Sequence, residues 1–205
     1  MHINTLPDNT EEVLNKIKNL SFIGNFYLTG GTALSLQIGH RESQDLDFFN
    51  QNIFEPEAIQ RELEKIGKLE NVEVAQGTLN CFLDNVKLQF LHYPYKLLEP
   101  FISWNGINIS SKLDIACTKL ITASVRGSRK DFIDIYFLLE DYDLETLLVK
   151  LSEKYSGINY NEPHILKSLI YFEDADSQPL PRMHKDIDWS QIKADIISQV
   201  KKHSF

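Results

Sequence analysis

The spacing of apolar residues changes period twice along the chain. Val13, Leu14, Ile17 and Leu20 recur at helical spacing, and Asp8 with Glu11 three residues on predicts a capping box that opens this first helix. Phe26-Tyr27-Leu28 predicts a short strand running into Thr29-Gly30-Gly31-Thr32, and Leu34 and Ile38, one turn apart, predict a short helix after it. Over 45–50 the pattern becomes alternating and predicts a strand, with Asp45 and Asp47 on one side and Leu46 and Phe48 on the other. A polar helix over 55–67 leads to three strand candidates near 71–75, 79–83 and 86–92, and Asp84-Asn85 supplies turn chemistry between the last two.

From Ser111 the helical period takes over, with helices predicted at 111–126, 129–140, 144–155 and 163–172. A turn-rich stretch from Glu173 to Asp186, holding Pro179 and Pro181, precedes a last helix capped by Asp188 and Gln191, with Trp189, Ile192, Ile196 and Val200 along one face. The expected fold class is therefore α/β (α+β): a sheet-bearing core over 1–110 and a helical part over 111–205. No Gly/Ser-rich linker divides the halves, so the helices are expected to pack on the core.

Charge and composition narrow the function classes. The 205 residues carry a formal net charge of −8, which argues against a general nucleic-acid coat or a membrane-surface binder. Two cysteines, Cys81 and Cys117, stand far apart and outside any Cys-x-x-Cys spacing, so neither a zinc site nor a disulfide framework is expected. No apolar run approaches the ~18 residues of a membrane span, and Met1 to Asp8 lacks the pattern of a signal peptide. The expectation is a cytoplasmic protein with no membrane partner.

The candidate chemistry lies in two windows. A strand running through Gly30-Gly31 into a helix exposes backbone N–H groups where a phosphate approaches closely and the helix dipole favours its charge. Asp45 and Asp47, two apart on a strand, point to the same side and suit Mg²⁺, whose remaining ligands are usually water and substrate phosphate. Gly-Gly alone is a common turn, and Asp-x-Asp alone is usually a solvated strand face; the order strand, glycine turn, helix, carboxylate strand is what points to a metal-bound triphosphate. The second window is 111–126, where Lys112, Lys119 and Arg126 share a stripe separate from the packing stripe of Leu113, Ala116, Cys117, Leu120 and Ser124. From Ser110 to Asp131 five basic residues face two acidic ones, a local +3 in an acidic chain. Such a stripe suits phosphate neutralisation, and equally a solvated face with pairs such as Lys130 to Asp134. No P-loop, Gly-x-Gly-x-x-Gly, Gly-x-Ser-x-Gly or His-Glu-x-x-His motif is present.

Gly30-Gly31, thirteen intervening residues and Asp45-x-Asp47 resemble the signature of the polymerase-β-type nucleotidyltransferases. Gly30-Gly31-Thr32-Ala33-Leu34 with His40-Arg41-x-Ser43-x-Asp45-Leu46-Asp47-Phe48-Phe49 is more closely similar to the AbiEii/AbiGii toxin family of type IV toxin–antitoxin systems. Lys130-Asp131-Phe132-Ile133-Asp134-Ile135-Tyr136 and Tyr171-Phe172-Glu173-Asp174-Ala175 extend the likeness over most of the chain. The resemblance implies a nucleotidyltransferase-like mixed sheet with a helical C-terminal half. It also implies transfer of a nucleoside monophosphate from an NTP to an RNA (notably tRNA) or protein acceptor, with a separate antitoxin partner. By the same likeness Asp45 and Asp47 are the Mg²⁺ ligands and Gly30, Gly31 and Thr32 cradle phosphate. Lys119 and Arg126 would contact the nucleotide, Lys119 matching the family's helix lysine, while Asp131 and Asp134 match its Asp-x-x-Asp. The superfamily's third carboxylate has no counterpart, since Gln89 occupies that position. Three readings follow: Asp131 or Asp134 supplies it, two carboxylates suffice, or the domain binds nucleotides without transferring them.

Overall fold

The computed structural model describes residues 1–204; Phe205, the end of the last predicted segment, lies outside the described residues. The chain divides into two compact units, one of Met1–Tyr95 with Pro100–Ser111, the other of Lys96–Glu99 with the chain from Lys112 onward.

The first unit is built on a seven-stranded mixed sheet. Its strands are β1 (Tyr27–Thr29), β2 (Leu46–Asn50), β3 (Leu69–Ala75), β4 (Thr78–Leu83), β5 (Val86–His92), β6 (Ile102–Trp104) and β7 (Ile107–Ile109). They lie in the order β3-β4-β5-β2-β1-β7-β6. β1 runs antiparallel to β2 and parallel to β7, and β2 runs parallel to β5. One face is dry: Leu28, Leu46, Phe48, Leu79, Leu88 and Phe90 alternate inward and are fully buried. Helices α1 (Asp8–Ile17), α2 (Gly30–Ile38) and α3 (Pro56–Leu63) complete the unit. The Phe48 and Phe90 rings stack at 5.2 Å between neighbouring strands, and Phe22 and Phe26 meet Phe90 edge-on.

The second unit holds α4 (Lys112–Arg126), α5 (Arg129–Leu138), α6 (Leu144–Lys154), α7 (Glu162–Leu169), the single turn α8 (Glu173–Asp176) and α9 (Trp189–Ser204). Leu113, Ala116, Cys117 and Leu120 of α4 are buried, as are Leu147 and Leu151 of α6 and Ile192, Ile196 and Val200 of α9. A buried ion pair, Asp114 to Lys154 at 2.6 Å, joins α4 to α6. The Asp114 carboxylate also accepts from the N–H groups of Leu98 and Glu99, which ties the short segment Lys96–Glu99 to this unit. No helix of the described residues is long and apolar enough to cross a membrane.

The structure corrects several local expectations. Pro7, not Asp8, is the N-cap of α1; Asp8 and Glu11 sit in the first turn, where they favour the helix dipole without a side-chain cap. α3 ends at Leu63, short of the expected Gly67, and α8 forms inside the turn-rich stretch. β6 and β7 have no counterpart among the predicted strands. Their signal is Asn105-Gly106, whose positive φ values of 51° and 82° give the hairpin turn that joins the two strands.

Candidate active site

β1 feeds directly into α2, and the junction dictates its residues. Gly30 has φ +69°, and a Cβ on it would lie 2.6 Å from Asp47 Oδ2, so the position demands glycine on both conformational and steric grounds. A Cβ on Gly31 would overlap Nη2 of Arg41 and crowd Ser43 Oγ at 3.3 Å. Arg41 is only 2% exposed, so a guanidinium is buried directly against the glycine turn, with Nη1 donating to the Glu42 carbonyl. A cation at this place reinforces the positive end of α2.

Thr32 is fully buried, and its hydroxyl lies 2.9 Å from Ser43 Oγ and bonds the carbonyl oxygen of Asp45. A hydroxyl has one proton and a carbonyl only accepts, so Thr32 donates to Asp45 and accepts from Ser43. The Thr32 side chain, expected to help cradle phosphate, is thus engaged in pinning Asp45 at the start of the carboxylate strand. Asp45 is exposed immediately before β2, and Asp47 is half-buried within it, on the face opposite the dry core.

Sheet register extends this face into a polar row. Asp47 is flanked by Thr29 on β1 and by Gln89 on β5; Gln89 is followed by Asn80 on β4 and Glu73 on β3. Gln89 therefore stands beside Asp47, and its Nε2 donates to Asn80 Oδ1 at 3.0 Å. Asp84 is removed to the β4–β5 turn. It accepts from Lys16 and from the Lys68 N–H, and the Lys16 hydrogen bond is the main reason its carboxyl is held below the ordinary range. Among the described residues no group of three or more His, Cys, Asp or Glu is arranged to hold a metal.

The helical unit carries its own cluster. Lys119 is 6% exposed, and its Nζ lies 2.8 Å from Asp131 and 2.6 Å from Asp134, both fully buried on α5. Arg126 grips Asp131 through Nε and Nη2, and the Ser128 hydroxyl donates to it at 2.6 Å. Burial alone raises the Asp131 carboxyl, but Lys119 and Arg126 outweigh it and hold the group far below the usual carboxylate range. Lys112 pairs with Asp141. Asp134 pairs with Lys119 rather than with the Lys130 of the solvated-face alternative, because Asp134 lies on the buried side of α5. The cationic stripe of α4 is thus matched by carboxylates at each of its three positions.

The chain matches the family described as nucleotidyl transferase AbiEii toxin, type IV TA system, over residues 12–100 and 83–205. The chain belongs to the AbiEii family. It is 36% identical over 206 residues to the uncharacterized protein aq_aa25 of Aquifex aeolicus (strain VF5), covering 97% of both. A similar fold is seen in JHP933 from Helicobacter pylori, with a TM-score of 0.59 at 19% identity over 96% of this chain and 92% of that one. MenT4, a nucleotidyltransferase toxin from Mycobacterium tuberculosis, gives a TM-score of 0.59 at 16% identity over 94% and 81%. The burial of Arg41 and the Ser43–Thr32–Asp45 chain around the glycine turn are features that periodicity does not reveal.

Proposed function

We propose that this AbiEii protein is a cytoplasmic, Mg²⁺-dependent nucleotidyltransferase. It moves a nucleoside monophosphate from an NTP to an RNA or protein acceptor, as a toxin balanced by a separate antitoxin protein. The observation that carries the reading is the approach of the Asp47 carboxylate to Gly30 at the N-terminus of α2. A carboxylate held against a helix N-terminus repels an arriving phosphate unless a cation joins the two, and Mg²⁺ is commonly held by one or two carboxylates plus phosphate oxygens. Asp45 and Asp47 fit that requirement without a third ligand. Bound there, the ion would neutralise the triphosphate and the departing pyrophosphate.

The chain's own contributions follow from the geometry. The first-turn N–H groups of α2 receive phosphate oxygens, and Arg41 beneath Gly31 strengthens their pull. The Ser43–Thr32 chain holds the Asp45 main chain in place, so the two carboxylates are preorganised. In the helical unit we propose Lys119 and Arg126 as nucleotide-contacting cations; Arg126, with a side chain 61% exposed, is the more accessible. Asp131, already accepting from Lys119, Arg126 and Ser128, is a weak base and is proposed to orient those cations.

Incubation with labelled NTPs, Mg²⁺ and total RNA or protein tests this. Transfer by the wild type, abolished in an Asp45→Ala/Asp47→Ala variant, is expected. Absence of transfer, or equal transfer by the variant, sinks the reading. A second reading, a domain that binds nucleotide without transferring it, is favoured by Gln89 in register with Asp47. Calorimetry showing NTP binding with no turnover supports it, and Gln89→Asp then raises activity only if that strand position lacks a working carboxylate.

A further inference from the structure

β3 ends the sheet: β4 pairs with one of its sides, and no strand of the described residues pairs with the other. A β-bulge between Glu70 and Glu73, with Asn71 at φ +51°, bends the first half of this edge out of regular pairing. Beyond it Glu73, Val74 and Ala75 keep unbroken register with Asn80, Leu79 and Thr78, and Val72 through Ala75 are all exposed. Bulges and charges are the usual defences of a strand edge. Here they leave open a short run that carries two valines, Val72 at 37% and Val74 at 41% exposed.

The two sides of that run differ in character. Val74 lies on the side of Leu79, the dry face, and alternation puts Val72 there too. Ile53, 58% exposed, continues this apolar ledge; a Cβ on Gly77, in the β3–β4 turn, would lie 2.9 Å from its Cδ1. A shallow groove joins Ile53 and Val74 to Glu55 and Glu57, and no Lys or Arg lines it. Glu73 faces the other side, beside Asn80. Among the described residues Glu55, Glu57 and Glu73 form no ion pair, while the nearby Lys65 and Lys68 are taken by Glu62 and Glu70. We propose that this edge docks a strand of a basic partner protein, which pairs with the β3 main chain over Val72–Ala75. The edge dictates the partner's pattern. Its residues beside Val72, Val74 and Ile53 are apolar, and those beside Glu73 and the Glu55–Glu57 rim are Lys or Arg, so the docking strand alternates basic with apolar. A second copy of this chain is the wrong occupant, because it brings an equally acidic edge against this one. β4 and β5 stand between β3 and β2, about 14 Å of sheet, so the proposal is independent of the nucleotidyltransferase reading.

Synthetic peptides supply the probe: one of about ten residues alternating lysine and valine, and a counterpart alternating glutamate and valine. Calorimetry on the full chain measures binding, and hydrogen exchange followed by NMR reads the β3 amides. The lysine–valine peptide alone is expected to bind, more weakly as salt rises, and to slow exchange of the outward-facing amides within Val72–Ala75. In a Glu57→Lys/Glu73→Lys variant, whose exposed positions leave folding intact by thermal melt, its binding weakens about tenfold and the glutamate–valine peptide binds instead. The proposal is overturned if the wild type binds neither peptide or both equally, or if the bound lysine–valine peptide leaves β3 exchange unchanged. Wild-type-like binding of that peptide by the variant overturns it as well. So does protection of the same amides without peptide, rising with protein concentration as dimers form, since the occupant is then a second copy. The wild-type comparisons stand even if the variant fails to fold.

Discussion

Removing the Lys119 ammonium is the sharpest test of how the helical unit is held together. Lys119 Nζ lies 2.8 Å from one fully buried carboxylate and 2.6 Å from another, with its own side chain 7% exposed. Lys119→Met keeps most of the stem's packing and removes only the charge. Asp131 retains Arg126 and Ser128, but the two carboxylates lose the cation they share. Breaking a buried pair from one side costs about 3–5 kcal/mol. For a chain of this size, each kcal/mol shifts Tm by roughly 2–4 °C. A fall of about 10 °C is therefore expected in a thermal melt at pH 7, against about 1 kcal/mol for Arg126→Ala, whose side chain is 61% exposed and solvent-screened. The pH dependence distinguishes charge from packing. In the wild type the Asp131 carboxyl is held well below the usual carboxylate range, so its stabilisation is full above the unfolded carboxyl pKa of about 4 and is lost as pH falls below it. In Lys119→Met, burial and mutual repulsion make the folded state bind a proton more readily than the unfolded chain. The variant therefore gains stability as pH falls from 7 toward 5, while the wild type does not. A triple variant adding Asp131→Asn and Asp134→Asn recovers most of the loss. If Lys119→Met costs less than about 1 kcal/mol, or its deficit is flat with pH, the ion network is not what holds α4 to α5.

Other positions give independent expectations. Gly30→Ala forces φ +69° on a residue with a Cβ 2.6 Å from Asp47 Oδ2, so transfer activity and nucleotide binding are both lost while Tm drops by only a few degrees; a fully active Gly30→Ala protein refutes the close approach. Thr32→Val removes the hydroxyl that holds the Asp45 carbonyl and costs about 1–3 kcal/mol, whereas Thr32→Ser keeps most of the stability and activity; equal melts of the two variants would contradict the assigned hydrogen bond. Burial pushes the Cys117 thiol up to about 12 and the Cys81 thiol up to about 11, so a thiol-specific reagent at pH 8 labels neither until denaturant is added; rapid labelling of the native chain contradicts their burial.

What the sequence reveals and what it hides divide along a physical line. Periodicity identifies faces, so the alternation at Asp45 to Phe48, the glycine turn and the Asp84-Asn85 hairpin are legible; both turn residues indeed take positive φ. Periodicity does not identify partners. Lys119 falls in a cationic stripe on the α4 wheel, yet its carboxylates stand one turn apart on a different helix, and nothing within α4 announces them. Arg41 is harder still: no local pattern marks an arginine for complete burial, because the space it fills exists only where Gly31 lacks a side chain. The β6–β7 hairpin is readable in principle. Its strands are three residues each, too short for alternation to register, and only the Asn105-Gly106 turn betrays them.

Charge placement limits how such a protein holds a polyanion. The sequence carries a local +3 around α4, but in the folded chain Lys112, Lys119 and Arg126 each face a carboxylate, so the stripe is not a bare basic patch. In the sheet unit, the charge beside the glycine turn is two carboxylates offset by one buried guanidinium. Under the proposed function, a phosphate arriving there would meet oriented N–H groups and the Arg41 cation below the backbone, with repulsion from Asp45 and Asp47 that a metal ion would relieve. Broad electrostatic capture of an RNA backbone requires many unmatched Lys and Arg side chains, and a chain of net −8 that matches its cations this closely is unsuited to it. Under the proposed function, discrimination would then come from short-range contacts around a metal-bridged phosphate chain at α2.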